Sequence, residues 1–226
     1  ISTFDINNAF STIEIEQSHQ YKLSFTWNGR KYVYTRASQG LKSISAFFHS
    51  CMNETFSNKI FNKARKEFPN SKVFEKYQSF PQFLLFYVDD LSVFTDKLET
   101  DTQTMNLHRD CIELMLYALS EVNLRIDSKK INLYKTKVTF LGFEIDTTNN
   151  FKSIPESKLK HLLSWNIPSS RAELNSFLCV CTYYNLVVPF VRLLAIPLLH
   201  LLKSSKEFYW TDREQISFEN IMYLAL

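Results

Sequence analysis

Phe83-Leu84-Leu85-Phe86-Tyr87-Val88-Asp89-Asp90-Leu91-Ser92-Val93-Phe94 decides how this chain is read. An almost unbroken apolar run stops at two adjacent carboxylates and resumes as apolar alternation. This predicts two short strands joined by a tight acidic turn, the first strand buried on both faces. Neighbouring carboxylates repel, and each resists ionising beside the other, so the pair is costly unless water or a cation neutralises it. Taken alone, Asp89-Asp90 reads first as turn punctuation, because Asp is a common turn former.

A second strand end carries an aspartate near the N-terminus. Ser2-Thr3-Phe4-Asp5-Ile6 is followed by Asn7-Asn8-Ala9-Phe10 and an alternating segment, Thr12-Ile13-Glu14-Ile15-Glu16. Were the two strands adjacent, Asp5 would lie against Asp89. One or two carboxylates, completed by water and substrate phosphate, form the oxygen set that magnesium accepts. In two-metal phosphoryl transfer such carboxylates hold ions at both the attacking and the leaving oxygen.

Between these strands, Lys22–Trp27 and Lys31–Thr35 predict a hairpin turning at Asn28-Gly29, which supplies the positive φ a two-residue turn needs. Ile44, Phe47, Phe48, Cys51, Met52 and Phe56 recur at helical spacing to about Ile60, with Ser43 as cap. The charged and aromatic segment 58–79 predicts an insertion or an extended surface helix, its lysines and Arg65 a solvated face. Residues 100–122 read as an amphipathic helix through Met105, Leu107, Ile112, Met115, Leu116 and Leu119. Lys137–Ile145 read as another hairpin. Pro155 opens a helical regime, with Pro168–Glu173 as a capping box ahead of Leu174, Phe177 and Leu178. Strands followed by helices predict an α+β fold, an antiparallel sheet backed by helices, over residues 1–150, and a small helical domain over 151–226.

The 226 residues, 45% hydrophobic, suffice for a real core, and the net charge of +3 announces no polyanion, so any basic surface is local. Four Cys without framework spacing argue for reduced thiols. Cys179-x-Cys181 falls in an apolar helical pattern and the five His show no paired spacing, which points to packing rather than zinc. No Gly-rich phosphate loop and no Gly-x-Ser-x-Gly elbow occur. The most apolar window, Leu193–Leu202, is too short to span a bilayer and reads as a buried helix end; no signal peptide is evident. Ile1 predicts a chain that begins upstream.

Tyr87-Val88-Asp89-Asp90 resembles the Tyr-x-Asp-Asp hairpin of reverse transcriptases. Phe4-Asp5-Ile6-Asn7-Asn8-Ala9-Phe10 is similar to their first catalytic motif, Gln39-Gly40-Leu41-Lys42-Ser43 to their Gln-Gly motif, and Phe140-Leu141-Gly142-Phe143 to their primer grip. Ser176-Phe177-Leu178, Tyr183-Tyr184, Pro197-Leu198 with Leu201, and Phe208-Tyr209-Trp210-Thr211 resemble the thumb and connection of gypsy-type retrotransposon and spumavirus-like polyproteins. The resemblance implies a polymerase palm, with fingers largely upstream, then thumb and the start of a connection leading to a ribonuclease H domain.

It further implies two Mg2+ ions, replaceable by Mn2+, held by Asp5, Asp89 and the Ile6 carbonyl, with Asp90 in the charge balance. Phe10, Gln39, Gly40, Tyr87 and Lys130 would bind nucleotide, Phe10 selecting deoxynucleotides. Phe140, Leu141 and Gly142 would grip the primer. Implied partners are an RNA or DNA template with primer and deoxynucleoside triphosphates, with no membrane. The implied setting is intracellular, a cytoplasmic virus-like particle or the nucleus, and not secreted. For Lys130 a plain surface lysine is the competing reading. Ala37-Ser38, Ile44-Ser45 and Asn185-Leu186 depart from the family pattern, implying an altered pocket wall and fewer thumb phosphate contacts. Two alternatives stay open: a catalytically silent retroelement remnant that binds nucleic acid or is structural, and another palm-type two-metal enzyme such as a nucleotidyl cyclase or RNA virus replicase.

Overall fold

The computed structural model describes residues 1–203 and 207–225 and divides into two compact units, Ile1–Leu141 and Gly142–Leu226. The helical pattern had suggested a boundary near residue 150. The division falls earlier because the strands Phe143–Asp146 and Phe151–Ser153 go with the helices that follow them.

The first unit begins with β1 (Ser2–Asp5). Asn8, at φ 50°, then turns the chain into a 3-10 turn over Ala9–Thr12, so the alternating segment 12–16 contributes only an isolated bridge, Glu14 to Arg36. The predicted hairpin forms as β2 (Ser24–Trp27) and β3 (Arg30–Val33), with φ 47° at Asn28 and 73° at Gly29. Positive φ at both positions is the type I′ pattern. The helical spacing yields α1 (Ile44–Thr55) and, after a break at Phe56-Ser57, α2 (Asn58–Glu67) and a single turn α3 (Val73–Lys76).

Segment 58–79 is therefore more than a surface addition. Phe61, Ala64, Val73 and Tyr77 are buried in the main core while Lys59, Lys66 and Lys72 face water. Phe61 packs edge-on against Phe74 and Phe80, at 5.3 and 5.2 Å between centroids. Each such buried ring contributes roughly 1.5–3 kcal/mol by removal from water.

The acidic hairpin is β4 (Leu84–Tyr87) and β5 (Asp90–Val93), and the sheet order is β1-β5-β4. This corrects one expectation. β4, read as buried on both faces, is the edge strand, with Leu84 buried but Leu85 and Tyr87 exposed; Leu91, Ser92 and Val93 of the central strand are buried instead. A run of apolar residues does not by itself say whether a strand has one neighbour or two.

Behind the sheet lies α4 (Asp101–Ser120), started by a Thr100–Gln103 capping box. Leu107, Cys111, Leu114, Met115 and Ala118 form its buried stripe at the i, i+4, i+7 spacing of an amphipathic helix. Burial pushes the Cys111 thiol well up. The unit closes with β6 (Lys137–Phe140).

In the second unit, β7 (Phe143–Asp146) pairs antiparallel with β8 (Phe151–Ser153), Ile145 opposite Lys152. The helices α5 (Glu156–Leu163), α6 (Arg171–Tyr183), α7 (Val191–Leu194), α8 (Ile196–Lys203) and α9 (Asp212–Leu224) follow. Of the predicted helical stretch, residues 204–206 and 226 lie outside the described residues.

Ser170 caps α6 by accepting the Glu173 amide, and the Glu173 carboxylate reaches back to the amide and hydroxyl of Ser169. The core is built from Leu162, Leu174, Phe177, Leu198, Phe218 and Ile221. The window 193–202 is only half a buried helix end: Leu198 and Leu201 are buried, whereas Leu193 and Leu199 are exposed. Cys181 packs in this core, its thiol pushed up to about 12 by burial, while Cys179 is exposed.

Candidate active site

β1 and β5 are antiparallel with Phe4 opposite Leu91 and Asp5 opposite Asp90. Past the last pair, the Ile6 amide donates to the Asp89 carbonyl at 2.9 Å. Among the described residues no backbone amide donates to the Ile6 carbonyl. The strand end therefore brings Asp5, Ile6 and Asp89 together. The expected neighbour of Asp5 was Asp89; the cross-strand partner is Asp90, and Asp89 sits one step further on, in the turn.

That turn is strained. Val88 has φ 56°, while Asp89 is not among the positive-φ residues, the type II′ pattern that normally takes Gly at the first position. A β-branched residue there is a backbone outlier costing on the order of 1–3 kcal/mol, and such outliers cluster where geometry is functional.

Asp5, Ile6, Asn7, Asn8, Phe10, Gln39, Asp89, Asp127 and Lys130 line an open cavity of about 410 Å3. Lys130 Nζ donates to Asp5 Oδ2 at 2.9 Å. That contact raises the Lys130 pKa, so this lysine holds its proton firmly at neutral pH. Lys130 is exposed, as a surface lysine would be, and at the same time paired with Asp5 at the cavity wall.

Lys130 is delivered by a 3-10 turn, Ser128–Lys130, which Asp127 caps by accepting the Lys129 amide at 3.0 Å. The Asp127 amide in turn donates to the Asp5 carbonyl at 2.9 Å. Asp127 was not singled out in the sequence, although Asp127-Ser128-Lys129-Lys130 carries a legible cap signal.

Asp90 behaves differently. Its half-buried carboxyl has a raised pKa through desolvation first, then through the charges of Asp89 and Asp5, partly offset by Lys130. It does not line the cavity.

Phe10 stands at the cavity with its ring edge-on to buried Phe48, 5.9 Å between centroids. Gln39 lines the wall. Gly40 does not line it; its φ of 93° is a backbone conformation that favours Gly, even though open space surrounds the place a Cβ would take. Tyr87 is exposed on the edge strand, 6.4 Å from the His49 ring. Phe140, Leu141 and Gly142 lie outside the cavity; Phe140 is buried, and Leu141 and Gly142 have φ 47° and 70°.

The donor set suits a hard divalent cation. Two carboxylates and a carbonyl converge at an open wall, leaving positions for water and phosphate. Among the described residues no group of three or more His, Cys, Asp and Glu side chains is arranged to hold a metal ion by itself.

The chain aligns over its full length with the retrovirus-related Pol polyprotein from transposon 297 of Drosophila melanogaster, 26% identical and 19% of that protein. It aligns over 89% of its length with the Pol polyprotein from transposon gypsy of the same organism, 26% identical and 17% of that protein. The Gag-Pol polyprotein of avian reticuloendotheliosis virus is 25% identical over 97% of the chain and 18% of that protein. The chain thus spans about a fifth of the length of these curated relatives.

The foamy viral protease-reverse transcriptase solved with double-stranded DNA covers 99% of the chain at TM-score 0.73 and 23% identity, with 35% of that chain matched. The same enzyme with an RNA/DNA hybrid gives TM-score 0.70 at 24% identity, with 99% of this chain and 27% of that chain covered. Both likenesses speak to the fold. Among the described residues no helix is long and apolar enough to cross a membrane. With residues 1–145 matched by the family model for reverse transcriptase (RNA-dependent DNA polymerase), and with Asp5 and Asp89 on one cleft, the chain belongs to that family.

Proposed function

We propose that this chain contributes the palm, thumb and start of the connection of an RNA-directed DNA polymerase from a retroelement Pol polyprotein. The observation that carries the reading is the convergence of Asp5, Ile6, Asp89 and Lys130 on one open cleft within the matched region.

Asp5 and Asp89 would hold two magnesium ions, with the Ile6 carbonyl as a further ligand; manganese suits the same oxygen donors. Bound there, the ions supply Lewis acidity at the primer hydroxyl and at the leaving pyrophosphate. The residues of the chain bind and orient. Lys130 brings a fixed positive charge and a held proton to the cleft, where a triphosphate's negative charge develops. Phe10, backed by Phe48, offers a rigid wall against a ribose 2′-hydroxyl. Gln39 supplies a polar edge, and Gly40 the backbone turn beside it. Tyr87 and Asp90 flank the carboxylates, and Phe140, Leu141 and Gly142 would hold the primer strand. A template with primer and deoxynucleoside triphosphates are the proposed substrates, a ribonuclease H domain of the same polyprotein the proposed neighbour, and the cell interior the proposed setting.

The test is magnesium-dependent extension of a DNA primer on an RNA template, by this chain or the longest polypeptide that contains it, with Asp89→Asn as control. Incorporation that vanishes in the variant supports the reading. Template-primer binding without incorporation would replace it with a silent nucleic-acid-binding remnant.

A further inference from the structure

β1 is an edge strand of its sheet, and residues 125–135 run antiparallel along its outer side. The Asn7 amide donates to the Arg125 carbonyl, Ile6 bridges Ile126, and the Asp127 amide donates to the Asp5 carbonyl. Thr3 and Asn132 then exchange both backbone bonds, at 2.9 and 3.0 Å. Between these two anchors β1 has only Phe4, whereas the facing segment has Ser128-Lys129-Lys130-Ile131. The surplus residues leave the pairing as an outward loop, which like a β-bulge re-aims a side chain. Here the side chain re-aimed is that of Lys130.

No buried side chain fixes this loop. Ser128, Lys129 and Lys130 are all exposed, and a lysine is a compact charge on a flexible stem. What fixes it is half-buried Asp127, through its side chain and both of its main-chain groups. Its carboxylate accepts the Lys129 amide at 3.0 Å, its carbonyl accepts the Lys130 amide at 3.0 Å, and its amide donates to the Asp5 carbonyl at 2.9 Å. Lys130 Nζ then closes the circuit on Asp5 Oδ2 at 2.9 Å. The lysine and the aspartate that meet in the cleft are thus tied, main chain to main chain, through one residue. Any residue but proline supplies the amide and the carbonyl, so only the carboxylate bond depends on the identity of Asp127. That bond is an N-cap, which Asp and Asn make equally well and Ala cannot make.

We propose that Asp127 is a positioning residue of the cleft, fixing Lys130 against Asp5 by capping the turn, and that it acts there as a hydrogen-bond acceptor rather than as a charge. Its consequence for primer extension rests on the polymerase reading. The placement of Lys130 does not, and is measured separately.

The test uses the whole chain, or the longest polypeptide that contains it, with two readouts. One is acylation of Lys130 by an amine-reactive ester in metal-free buffer, followed by peptide mass spectrometry. The other is the rate of primer extension at saturating template-primer and nucleotide. Asp127→Ala should speed acylation and slow extension, each by about fivefold, the effect of a lost N-cap, while template-primer affinity holds. The anchors on either side keep the segment paired, so the fold should survive. Asp127→Asn should restore both readouts. In a Lys130→Ala background, Asp127→Ala should cost nothing further, because a residue that acts only through Lys130 has nothing left to act on. Unchanged acylation of Lys130 in Asp127→Ala overturns the proposal whether or not the chain extends primers. So does an Asp127→Asn protein as slow as Asp127→Ala, which would make the carboxylate's charge the agent. A full further loss in the Lys130→Ala background also overturns it, by placing the role of Asp127 elsewhere. If the wild-type chain extends no primer, the polymerase reading fails and acylation alone decides the role of Asp127.

Discussion

Two hairpins with two-residue turns, β2–β3 and β4–β5, are opposite in almost every respect. The turn at Asn28-Gly29 uses the two residue types that accept positive φ, carries no carboxylate, and lies between strands exposed on both faces. The turn at Val88-Asp89 forces a β-branched residue to φ 56°, carries an aspartate with a second beside it, and closes strands anchored in the main core. A hairpin that only reverses the chain can use its easiest turn. One that must aim a carboxylate keeps an unfavourable turn and draws on its surroundings to hold it.

The largest way to break this contrast is at the carboxylates. Asp5→Asn or Asp89→Asn should lower primer extension on the order of a thousandfold, the several kcal/mol that metal-held charge stabilisation provides. Circular dichroism should show an unchanged fold. If Asp89→Asn keeps most of the rate, the two hairpins differ only in packing.

The turns themselves come next. Gly29→Val places a β-branched side chain at φ 73° in open space, so strain alone should lower unfolding stability by about 1–2 kcal/mol. Val88→Gly relieves the same strain and should leave stability equal or higher by about 1 kcal/mol, after allowing for glycine's greater chain entropy. Urea unfolding of both variants checks the pair. A clear loss of stability in Val88→Gly would mean that Val88 packing outweighs its backbone strain.

Titration sharpens the contrast further. The raised Asp90 pKa means the folded state holds that proton more tightly than the unfolded chain. Its contribution is therefore full at acid pH and declines as pH rises from the ordinary carboxylate value through the raised one. His108 runs the other way. It is buried between Ser2 Oγ at 2.8 Å and Thr95 Oγ1 at 3.0 Å, behind the acidic hairpin, with its pKa lowered to about 4 by desolvation. Its contribution is full above the ordinary histidine value near 6.5 and is lost as pH falls toward 4. Thermal melts in metal-free buffer should show Asp90→Asn flattening the first slope and His108→Gln the second, while Gly29 variants alter neither.

The smallest expected effect is at Lys130. Its ion pair with Asp5 is solvent-exposed, so Lys130→Ala should leave the melting temperature nearly unchanged while lowering extension. A large stability loss would make Lys130 part of the scaffold instead.

Much of this was legible in the residues, and the parts that were not have a common cause. Asn28-Gly29 gave its hairpin, Thr100–Ser120 its helix, and Ser169–Glu173 its cap, because each is decided within a few residues. Asp5, Phe10, Gln39 and Asp89, far apart in the chain, line one cavity. The partner of Asp5 came out one residue away, at Asp90, because strand register belongs to two strands at once and a shift of one residue exchanges faces. Segment 58–79 looked like a surface insertion because its solvated cations dominate the composition, yet Phe61 and Ala64, three apart in α2, and Val73 in α3 are buried.

The sequence by itself determined the turns, the helix starts, the pair of carboxylates at a strand end and the reverse transcriptase resemblance, all of which depend on local backbone preference and residue order. Only the tertiary structure decided that β5 rather than β4 is the central strand, that Asp90 is desolvated while Asp89 reaches the cleft, and that Lys130, 125 residues from Asp5 along the chain, supplies its counter-charge. Those are properties of neighbours brought together by burial, and burial is set by the packing of the whole unit rather than by any one stretch of it.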